Sequence, residues 1–333
     1  MSDKKKINVL GIDIGGTKIA VCLANSDGEI LGSGRISSTS TYEEILKALA
    51  EKCRALCADN NLDIKDISSC GICAPGPLDL DNGMLLRTPN VTWIDRPMPI
   101  RDDLAALLGI PTALENDANA GVLAEWFYGC GKGKRNMIYL TMSTGIGGGI
   151  VSEGKLVHGF NGNAGELGHM VLDIHGPLCN CGLRGCLEAY CGGRAVAKRV
   201  QEIVRHEPTS ELLRLPGVDG KVENLTFQSV RDGAKAKIPL AMEMWDEICL
   251  RLAQGIGNCM SAFNPELVVL GTAAYYAGDF LMKPVLEYLP RFTWPVFYKD
   301  CEVRLSALGL KVGELAGASV ALNVLYERGE WRP

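Results

Sequence analysis

Residues 7–37 read INVLGIDIGGTKIAVCLANSDGEILGSGRIS, and their pattern is the strongest indication of the fold class. Apolar runs at 7–14, 18–24 and 30–36 are short, bounded by turn residues and rich in residues that favour strands. Two glycines at 15 and 16, and then the Asp27-Gly28 pair, supply tight turns between these runs. The chain is therefore predicted to open with an antiparallel meander of three strands.

Helices and strands alternate after this meander. Thr41 and Glu44 have the spacing of a capping box, and an apolar repeat of helical period follows them. Strands are predicted at 67–73 and 112–115, with a helix near 102–108 between them. This order is typical of an α/β domain.

The strand–turn–strand unit occurs again in the second half of the chain. Residues 137–157 contain an apolar strand, the glycine-rich turn STGIGGG at 143–149, and further short strands. Helices are predicted at 194–206 and 239–263, and a buried strand at 267–270. The repetition indicates a duplicated α/β fold whose two copies flank a cleft.

The repetition also predicts the domain boundaries. Residues 1–117 are expected to form an N-terminal α/β domain, and residues 118–311 a C-terminal α/β domain. The last helix, near 312–326, is expected to pack back on the first domain. It carries a face of small residues made by Gly313, Ala316, Gly317 and Val320.

Two glycine-rich turns have the composition of phosphate-binding loops, because glycine lets backbone N–H groups approach phosphate oxygens. The first follows Asp13, a candidate to hold magnesium through water, and comprises Gly15, Gly16, Thr17 and Lys18. The second lacks the lysine of a P-loop and the helix of a dinucleotide fingerprint, and it offers Thr144, Gly145 and Gly147. Either turn alone is more typical of a hairpin, whereas one in each repeat favours a clamp on a polyphosphate.

The segment Glu115-Asn116-Asp117-Ala118-Asn119-Ala120 stands at the end of a predicted strand, where a helix begins. Asp117 has two interpretations. It is either the N-cap of that helix or a carboxylate at the edge of the sheet, where α/β enzymes hold catalytic groups. In phosphoryl transfer to an alcohol, such a carboxylate orients the hydroxyl and accepts its proton.

The most specific prediction is a metal site within residues 165–188. One histidine and three cysteines form the ligand set of a tetrahedral zinc site, and they are His169, Cys179, Cys181 and Cys186. Gly182 and Gly185 permit the tight turns that aim sulfurs at one point. Four protein ligands leave no open position, so the zinc is predicted to be structural. Reduced thiols in a loop are the alternative.

Polar side chains flank the metal ligands. Glu166 and Glu188 bracket them, and the nitrogen of His169 that does not bind metal remains able to meet a hydroxyl group. Converging carboxylates and amides suit a polyhydroxylated ligand, for which Asn90 has a suitable side chain. The other histidines show no partner pattern and are interpreted as surface or loop residues; they are His158, His175 and His206.

Composition and charge argue against several classes of protein. The chain has 333 residues, 47% of them hydrophobic, and a formal net charge of −5. The acidic balance disfavours a nucleic-acid partner, and no apolar run has the length of a membrane span. A polar N-terminus without a signal-peptide pattern predicts a cytoplasmic protein. Its thirteen cysteines are then expected to be mostly reduced.

The chain resembles the ROK family (repressors, open reading frames and kinases) over essentially its whole length. The motifs are Asp-x-Gly-Gly-Thr, Glu-Asn-Asp-Ala-Asn-Ala, Gly-Glu-Leu-Gly-His and Cys-x-Cys-Gly-x-x-Gly-Cys-x-Glu. The resemblance implies the actin-like ATPase (ribonuclease H-like) fold. It also implies that ATP with Mg²⁺ phosphorylates the 6-hydroxyl of a hexose or N-acetylhexosamine. A homodimer is expected, with a tetramer as the alternative.

Residue roles follow from the same resemblance. Asp117 matches the family's catalytic base. The residues that match its sugar contacts are Asn90, Asn116, Glu166, His169 and Glu188. The loop residue Gly76 is a further candidate to line the sugar pocket. The two glycine-rich turns match the family's phosphate motifs. The turn near the adenosine departs from the family pattern, because Gly271-Thr272-Ala273-Ala274 keeps only Gly271.

Glucose is the predicted substrate, because glucokinases are abundant in this family. N-acetylmannosamine, N-acetylglucosamine, mannose and fructose are the alternatives. A sugar-sensing repressor is disfavoured, since about six residues precede the first strand and leave no room for a helix-turn-helix. A sugar-binding protein without catalysis is disfavoured because both Asp13 and Asp117 are present.

Overall fold

The structure is a computed structural model that describes residues 6–38, 40–88, 91, 93–207 and 209–333. Its contacts divide the chain into two compact units. Unit 1 comprises Met1–Arg135, Gly149–Gly165 and Ala307–Pro333, and unit 2 comprises Asn136–Gly148 and Glu166–Ser306. Unit 1 thus includes residues 118–135, 149–165 and 307–311, which the sequence pattern predicts to belong to the C-terminal domain.

The strands lie in two large sheets and a small hairpin. In chain order they are β1 (Asn8–Ile14), β2 (Lys18–Asn25), β3 (Ile30–Ser37), β4 (Ile67–Ala74), β5 (Leu78–Asp79), β6 (Met84–Leu85), β7 (Thr112–Asn116), β8 (Met137–Met142), β9 (Ile146–Ser152), β10 (Lys155–Leu156), β11 (Leu267–Thr272) and β12 (Glu302–Leu305).

The two large sheets have the same strand order. The first is β3-β2-β1-β4-β7, and the second is β10-β9-β8-β11-β12. In the first, β1 to β3 form the predicted antiparallel meander, and β4 and β7 run parallel to β1. In the second, β11 runs parallel to both β8 and β12, and β10 is antiparallel to β9. The predicted duplication is confirmed.

The described residues also form α-helices. In chain order they are α1 (Tyr42–Asp59), α2 (Ile100–Leu108), α3 (Asp117–Phe127), α4 (Leu187–Cys191), α5 (Gly193–Arg205), α6 (Phe227–Lys235), α7 (Pro239–Phe263), α8 (Ala273–Ala277), α9 (Asp279–Tyr288), α10 (Pro295–Tyr298) and α11 (Lys311–Glu327). Within the described part of the chain, none of them is both long and apolar enough to cross a membrane. The segment at 208–225, predicted to be irregular, contains only short 3₁₀ turns among its described residues.

α1 begins as the sequence predicts. The Thr41 hydroxyl accepts from the Glu44 N–H, and the Glu44 carboxylate accepts from the Thr41 N–H, so the capping box is formed in both directions. The predicted apolar positions are buried in the core of unit 1; they are Ile45, Leu46, Leu49, Cys53 and Leu56.

α11 packs against β1 and β4 within unit 1. The contact is made through glycine. A Cβ atom on Gly11 would lie 2.3 Å from the Ala318 nitrogen, and one on Gly71 would lie 2.1 Å from the Gly317 oxygen. Backbone therefore lies against backbone, which is possible only because these positions lack side chains.

Candidate functional site

Three side chains of unit 1 lie side by side at the carboxyl end of its parallel strands. In the register of the sheet, Asp13 on β1 pairs with Cys73 on β4, and Cys73 pairs with Glu115 on β7. Asn116 is the last residue of β7, and Asp117 is the first residue of α3. The sheet thereby brings the predicted catalytic segment to the same edge as the residue that precedes the first glycine-rich turn.

The electrostatics of this edge centre on Asp13. Burial is the main cause that raises the pKa of Asp13 to about 6, and the negative charge of Asp117 adds to it. A hydrogen bond from the Cys73 thiol opposes the shift. Asp13 therefore takes up a proton close to neutral pH, where a magnesium ion would compete with that proton.

The first glycine-rich turn is a closed hairpin between β1 and β2. The Gly15 N–H donates to the Lys18 carbonyl at 3.0 Å, and the Ser38 hydroxyl donates to the Gly16 carbonyl at 3.0 Å. Gly16, Thr17 and Lys18 are exposed. The hydroxyl and the ammonium group predicted to meet phosphate are thus accessible.

The start of α3 tests the interpretation of Asp117 as an N-cap. Asn116 is the N-cap, and its Oδ1 accepts from the Ala118 N–H at 2.8 Å. The N-cap interpretation of Asp117 is therefore wrong, and its catalytic interpretation stays a prediction. A Cβ on Gly76 would lie 3.7 Å from Asn116 Nδ2, so two of the predicted substrate residues are neighbours.

Glu115 is a buried carboxylate with three hydrogen-bond donors around it. Its Oε1 accepts from the Asn116 N–H and from Asn119 Nδ2, each at 2.9 Å. Its Oε2 lies 2.6 Å from Nε2 of His158, and this hydrogen bond raises the pKa of His158. His158 was predicted to be a surface or loop residue, and it lies in the loop after β10, where Glu115 is its partner. The partners are 43 residues apart in the chain, a separation at which no spacing rule operates.

The predicted metal ligands are close together in unit 2. The ligand atoms of His169, Cys179, Cys181 and Cys186 all lie within 4.8 Å of one another. Cys179 Sγ is 3.7 Å from His169 Nδ1, and Cys181 Sγ is 3.7 Å from Cys186 Sγ. In a tetrahedral site with Zn–S bonds of about 2.3 Å, sulfurs lie about 3.8 Å apart. The group can therefore hold a metal ion such as zinc.

Backbone pairing explains how ligands from separate parts of the loop meet. The Leu172 N–H donates to the Gly185 carbonyl at 2.8 Å, and the Leu187 N–H donates to the Met170 carbonyl at 3.0 Å. These bonds place His169 beside Cys186. Both predicted turn glycines are left-handed, with φ of 92° at Gly182 and 71° at Gly185. A Cβ on Gly185 would lie 1.6 Å from the Asp173 oxygen, so only glycine fits there.

Side chains of α7 contact the same loop. Arg251 forms an ion pair with Asp173 at 3.2 Å and lies over the ring of Tyr190, 4.5 Å from its centroid. Gln254 Nε2 donates to the Leu172 carbonyl at 3.2 Å. The loop is thus tied to a long helix, which favours a rigid site.

His169 and Glu166 place polar atoms beside the predicted metal ligands. His169 directs Nδ1 to the cysteines, and its Nε2 lies 3.9 Å from Glu166 Oε2. The second nitrogen is therefore on the side of the predicted sugar-binding carboxylate. Asn90, another predicted sugar contact, lies outside the described residues.

Glu188 contacts both the second glycine-rich turn and the predicted metal ligand Cys179. Its Oε2 accepts from the Ile146 N–H at 3.0 Å, and its Oε1 lies 3.7 Å from Cys179 Sγ. A Cβ on Gly145 would lie 2.2 Å from Oε2 of Glu188. A side chain at position 145 would therefore displace this carboxylate.

The second turn is shorter than the sequence predicts. It covers residues 143–145, and Gly147 lies within β9. The turn is held to the start of α5, because the Gly193 N–H donates to the Ser143 carbonyl and the Arg194 N–H to the Thr144 carbonyl, both at 2.9 Å. Thr144 also lines a cavity of about 270 Å³.

The turn after β11 is strained at the position where it departs from the family pattern. Thr272 has φ 54° and ψ −114°, a conformation that is costly for a residue other than glycine. Its hydroxyl donates to the Met142 carbonyl and lies 3.2 Å from the Thr141 hydroxyl. Gly271 has a packing role, since a Cβ there would lie 2.0 Å from the Tyr139 hydroxyl.

The chain belongs to the ROK family, whose sequence profile matches residues 9–322. Over 319 residues it is 34% identical to the glucokinase of Thermotoga maritima, an alignment that covers 95% of this chain and 97% of that protein. It is also 30% identical over 303 residues to a putative xylose repressor from Caldicellulosiruptor, covering 90% of this chain and 74% of the repressor.

Solved structures agree with this assignment. The ROK hexokinase of Thermus thermophilus superposes with a TM-score of 0.83 at 31% identity, over 96% of this chain and all of that one. The ROK glucokinase of Streptomyces griseus, in complex with glucose and AMPPNP, gives a TM-score of 0.74 at 30% identity, over 95% and 99% of the two chains. The predicted actin-like ATPase fold is confirmed.

Proposed function

We propose that this chain is an ATP-dependent glucokinase that phosphorylates the 6-hydroxyl of glucose. The observation that carries the proposal is the likeness to glucokinases over nearly the whole of both chains. The geometry of unit 1 supports it, because Asp117 directly follows β7 at the carboxyl end of the parallel strands, where the N-cap of α3 is Asn116.

Asp117 acts as the general base. As the 6-oxygen of the sugar attacks the γ-phosphorus, Asp117 accepts the hydroxyl proton, a new O–P bond forms, and the bond to the bridging oxygen of ADP breaks. The products are the sugar 6-phosphate and ADP. Exclusion of water from the site prevents hydrolysis of ATP as a competing reaction.

The phosphates of ATP bind the two glycine-rich turns. Lys18, the hydroxyl of Thr17 and the backbone N–H groups of the first turn are donors for them, and Thr144 contributes a second hydroxyl. Asp13 would hold the Mg²⁺ that accompanies ATP, a hard cation that prefers carboxylate and water oxygens. Gly271 is the proposed neighbour of the adenosine.

Zinc is proposed to be held by His169 and the three cysteines, where it supplies rigidity and no reaction step. The chain's own residues then bind the sugar. The sugar hydroxyls are proposed to meet Nε2 of His169, Glu166 and Glu188, and Asn116, Gly76 and Asn90 complete the proposed contacts. The spacing of 3.7 Å within the ligand group supports this role for the loop.

A coupled ADP-release assay over a panel of sugars tests the proposal. The panel contains glucose, mannose, fructose, N-acetylmannosamine and N-acetylglucosamine. Glucose is expected to give the highest kcat/KM. A higher value for an N-acetylhexosamine, mannose or fructose would replace glucose as the substrate. No turnover with any sugar, together with retained sugar binding, would favour the sugar-sensing regulator.

The assembly and location of the protein are part of the same proposal. We infer a homodimer from the family resemblance, with a tetramer as the alternative, and a cytoplasmic location where ATP is available. Light scattering coupled to size-exclusion chromatography distinguishes the assemblies, and a mass of one chain, 35.8 kDa, would contradict both.

A further inference from the structure

The buried carboxylate of Glu115 accepts hydrogen bonds from residues on both sides of Asp117. It accepts from the N–H of Asn116, the residue before Asp117, and from the side chain of Asn119, two residues after it. Both bonds end on the same oxygen, Oε1. Any rotation of the Glu115 carboxylate would therefore move both bonds and displace the first turn of α3.

His158 determines whether that carboxylate can remain in place. Glu115 is only 5% exposed, and a buried carboxylate is costly unless it is paired and hydrogen-bonded. Nε2 of His158 lies 2.6 Å from the second oxygen, Oε2. Without this partner, the carboxylate would turn toward water, and this change would weaken the acceptor at Oε1.

We propose that His158 is a positioning residue for phosphoryl transfer, which acts through Glu115 on the orientation of Asp117. The proposal rests on the assignment of Asp117 as the base and adds a residue outside the motifs. His158 follows β10 in unit 1, and its carbonyl accepts from the Ala164 N–H at 3.0 Å, so its backbone is held as well.

The charge on His158 gives the proposal a pH signature. The hydrogen bond with Glu115 raises the pKa of His158, burial opposes this, and the charges of Glu115, Glu327 and Asp81 raise it further. The charged pair is present below this raised pKa and is lost as pH rises through it. Turnover that depends on the pair is therefore expected to decline on the alkaline side.

The test compares three variants of the full chain. His158→Leu removes the donor, and His158→Gln keeps an N–H that reaches Glu115 without a titratable charge. His206→Leu is the control, because His206 is an exposed histidine at the end of α5. His158→Leu is expected to lower kcat about 10- to 100-fold with KM values for glucose and ATP within about twofold of wild type. The glutamine variant is expected to recover most of that loss.

Two outcomes would overturn the proposal while leaving the glucokinase assignment intact. One is a wild-type kcat in folded His158→Leu. The other is an alkaline decline of kcat that is the same in wild type and in His158→Gln. This comparison also tests the proposal if the leucine variant does not fold. A wild-type enzyme that phosphorylates no sugar would instead contradict the proposed function itself.

Discussion

Asp13 and Asp117 are electrostatically coupled at one edge of the unit 1 sheet. Burial and the negative charge of Asp117 together raise the pKa of Asp13 to about 6. The proposed function gives the two carboxylates different ligands, Mg²⁺ for Asp13 and the sugar hydroxyl for Asp117. Like charges held close together are costly, and this cost is relieved when a cation or a proton binds.

The coupling predicts how nucleotide binding depends on pH. Protonated Asp13 cannot hold Mg²⁺, so the affinity for MgADP is expected to fall as pH drops through about 6, by about tenfold per unit below it. Calorimetric titration of MgADP between pH 5 and pH 8 measures the midpoint. Affinity that is independent of pH in this range would contradict the role of Asp13.

The same titration in Asp117→Asn isolates the contribution of Asp117. Removing its negative charge is expected to lower the pKa of Asp13, so the midpoint of MgADP binding should move to lower pH than in wild type. Because binding is measured and not turnover, the loss of the catalytic base does not interfere. An unchanged midpoint would show that burial alone causes the shift.

Asp117→Asn is also the direct test of the base. Asparagine keeps the size of the side chain and cannot accept the hydroxyl proton, so kcat is expected to fall by about 10²- to 10⁴-fold. Sugar binding, followed by intrinsic fluorescence, should remain. A near-normal kcat in a well-folded variant would assign the proton transfer to another group.

Removal of the metal should affect the sugar more than the nucleotide. Cys181 is the exposed member of the ligand group. Cys181→Ser therefore removes a predicted metal ligand with little loss of packing. The variant is expected to lose zinc in a metal analysis, to melt at a lower temperature and to raise KM for glucose about tenfold or more.

The control for this experiment is Cys301→Ser, which changes a cysteine outside the ligand group. It should retain zinc and the wild-type KM for glucose. If Cys181→Ser loses its metal and keeps the wild-type affinity for glucose, the loop does not organise the sugar site.

Local patterns explain why much of the fold could be predicted. The meander of β1 to β3, the capped start of α1 and the strand Met137–Met142 are encoded in short apolar runs and their boundaries. The metal ligands could be predicted for a similar reason, since all four lie within eighteen residues and have the spacing of a known ligand set.

Contacts between distant segments could not be predicted. The pairing of His158 with Glu115 depends on the fold, which brings the loop after β10 to Glu115, and neither residue has a neighbour in sequence that indicates it. The turn at 143–149 was predicted too long because its glycines resemble a loop, whereas Gly147, Gly148 and Gly149 belong to β9. For Gly149 the reason is packing, since a Cβ would lie 2.6 Å from the Ala118 oxygen.

Glu125 is a fully buried carboxylate whose loss should destabilise unit 1. It accepts from the backbone N–H groups of Cys130, Ala307 and Leu308 at 3.1, 3.4 and 3.2 Å. Glu125→Gln replaces one acceptor oxygen with an NH₂ group, so that a donor faces the backbone N–H donors. The free energy of unfolding is expected to fall by about 1–3 kcal/mol. Glu51→Gln on the exposed face of α1 should change it by less than about 0.5 kcal/mol in urea denaturation.

The small-residue face of α11 supports a final prediction with opposite signs at two glycines. A Cβ on Gly317 would lie 2.4 Å from the Ile12 nitrogen and 2.8 Å from the Gly11 carbonyl carbon, and backbone atoms cannot swing aside. Gly317→Ala is therefore expected to destabilise the protein by about 1–3 kcal/mol or more, although alanine favours helix. Gly313, one turn earlier, is exposed, and no atom would lie within 4 Å of its added Cβ. Gly313→Ala should therefore raise stability by up to about 1 kcal/mol. Thermal melts of the two variants test this directly, and equal shifts of the same sign would mean that α11 does not contact β1 through its glycines.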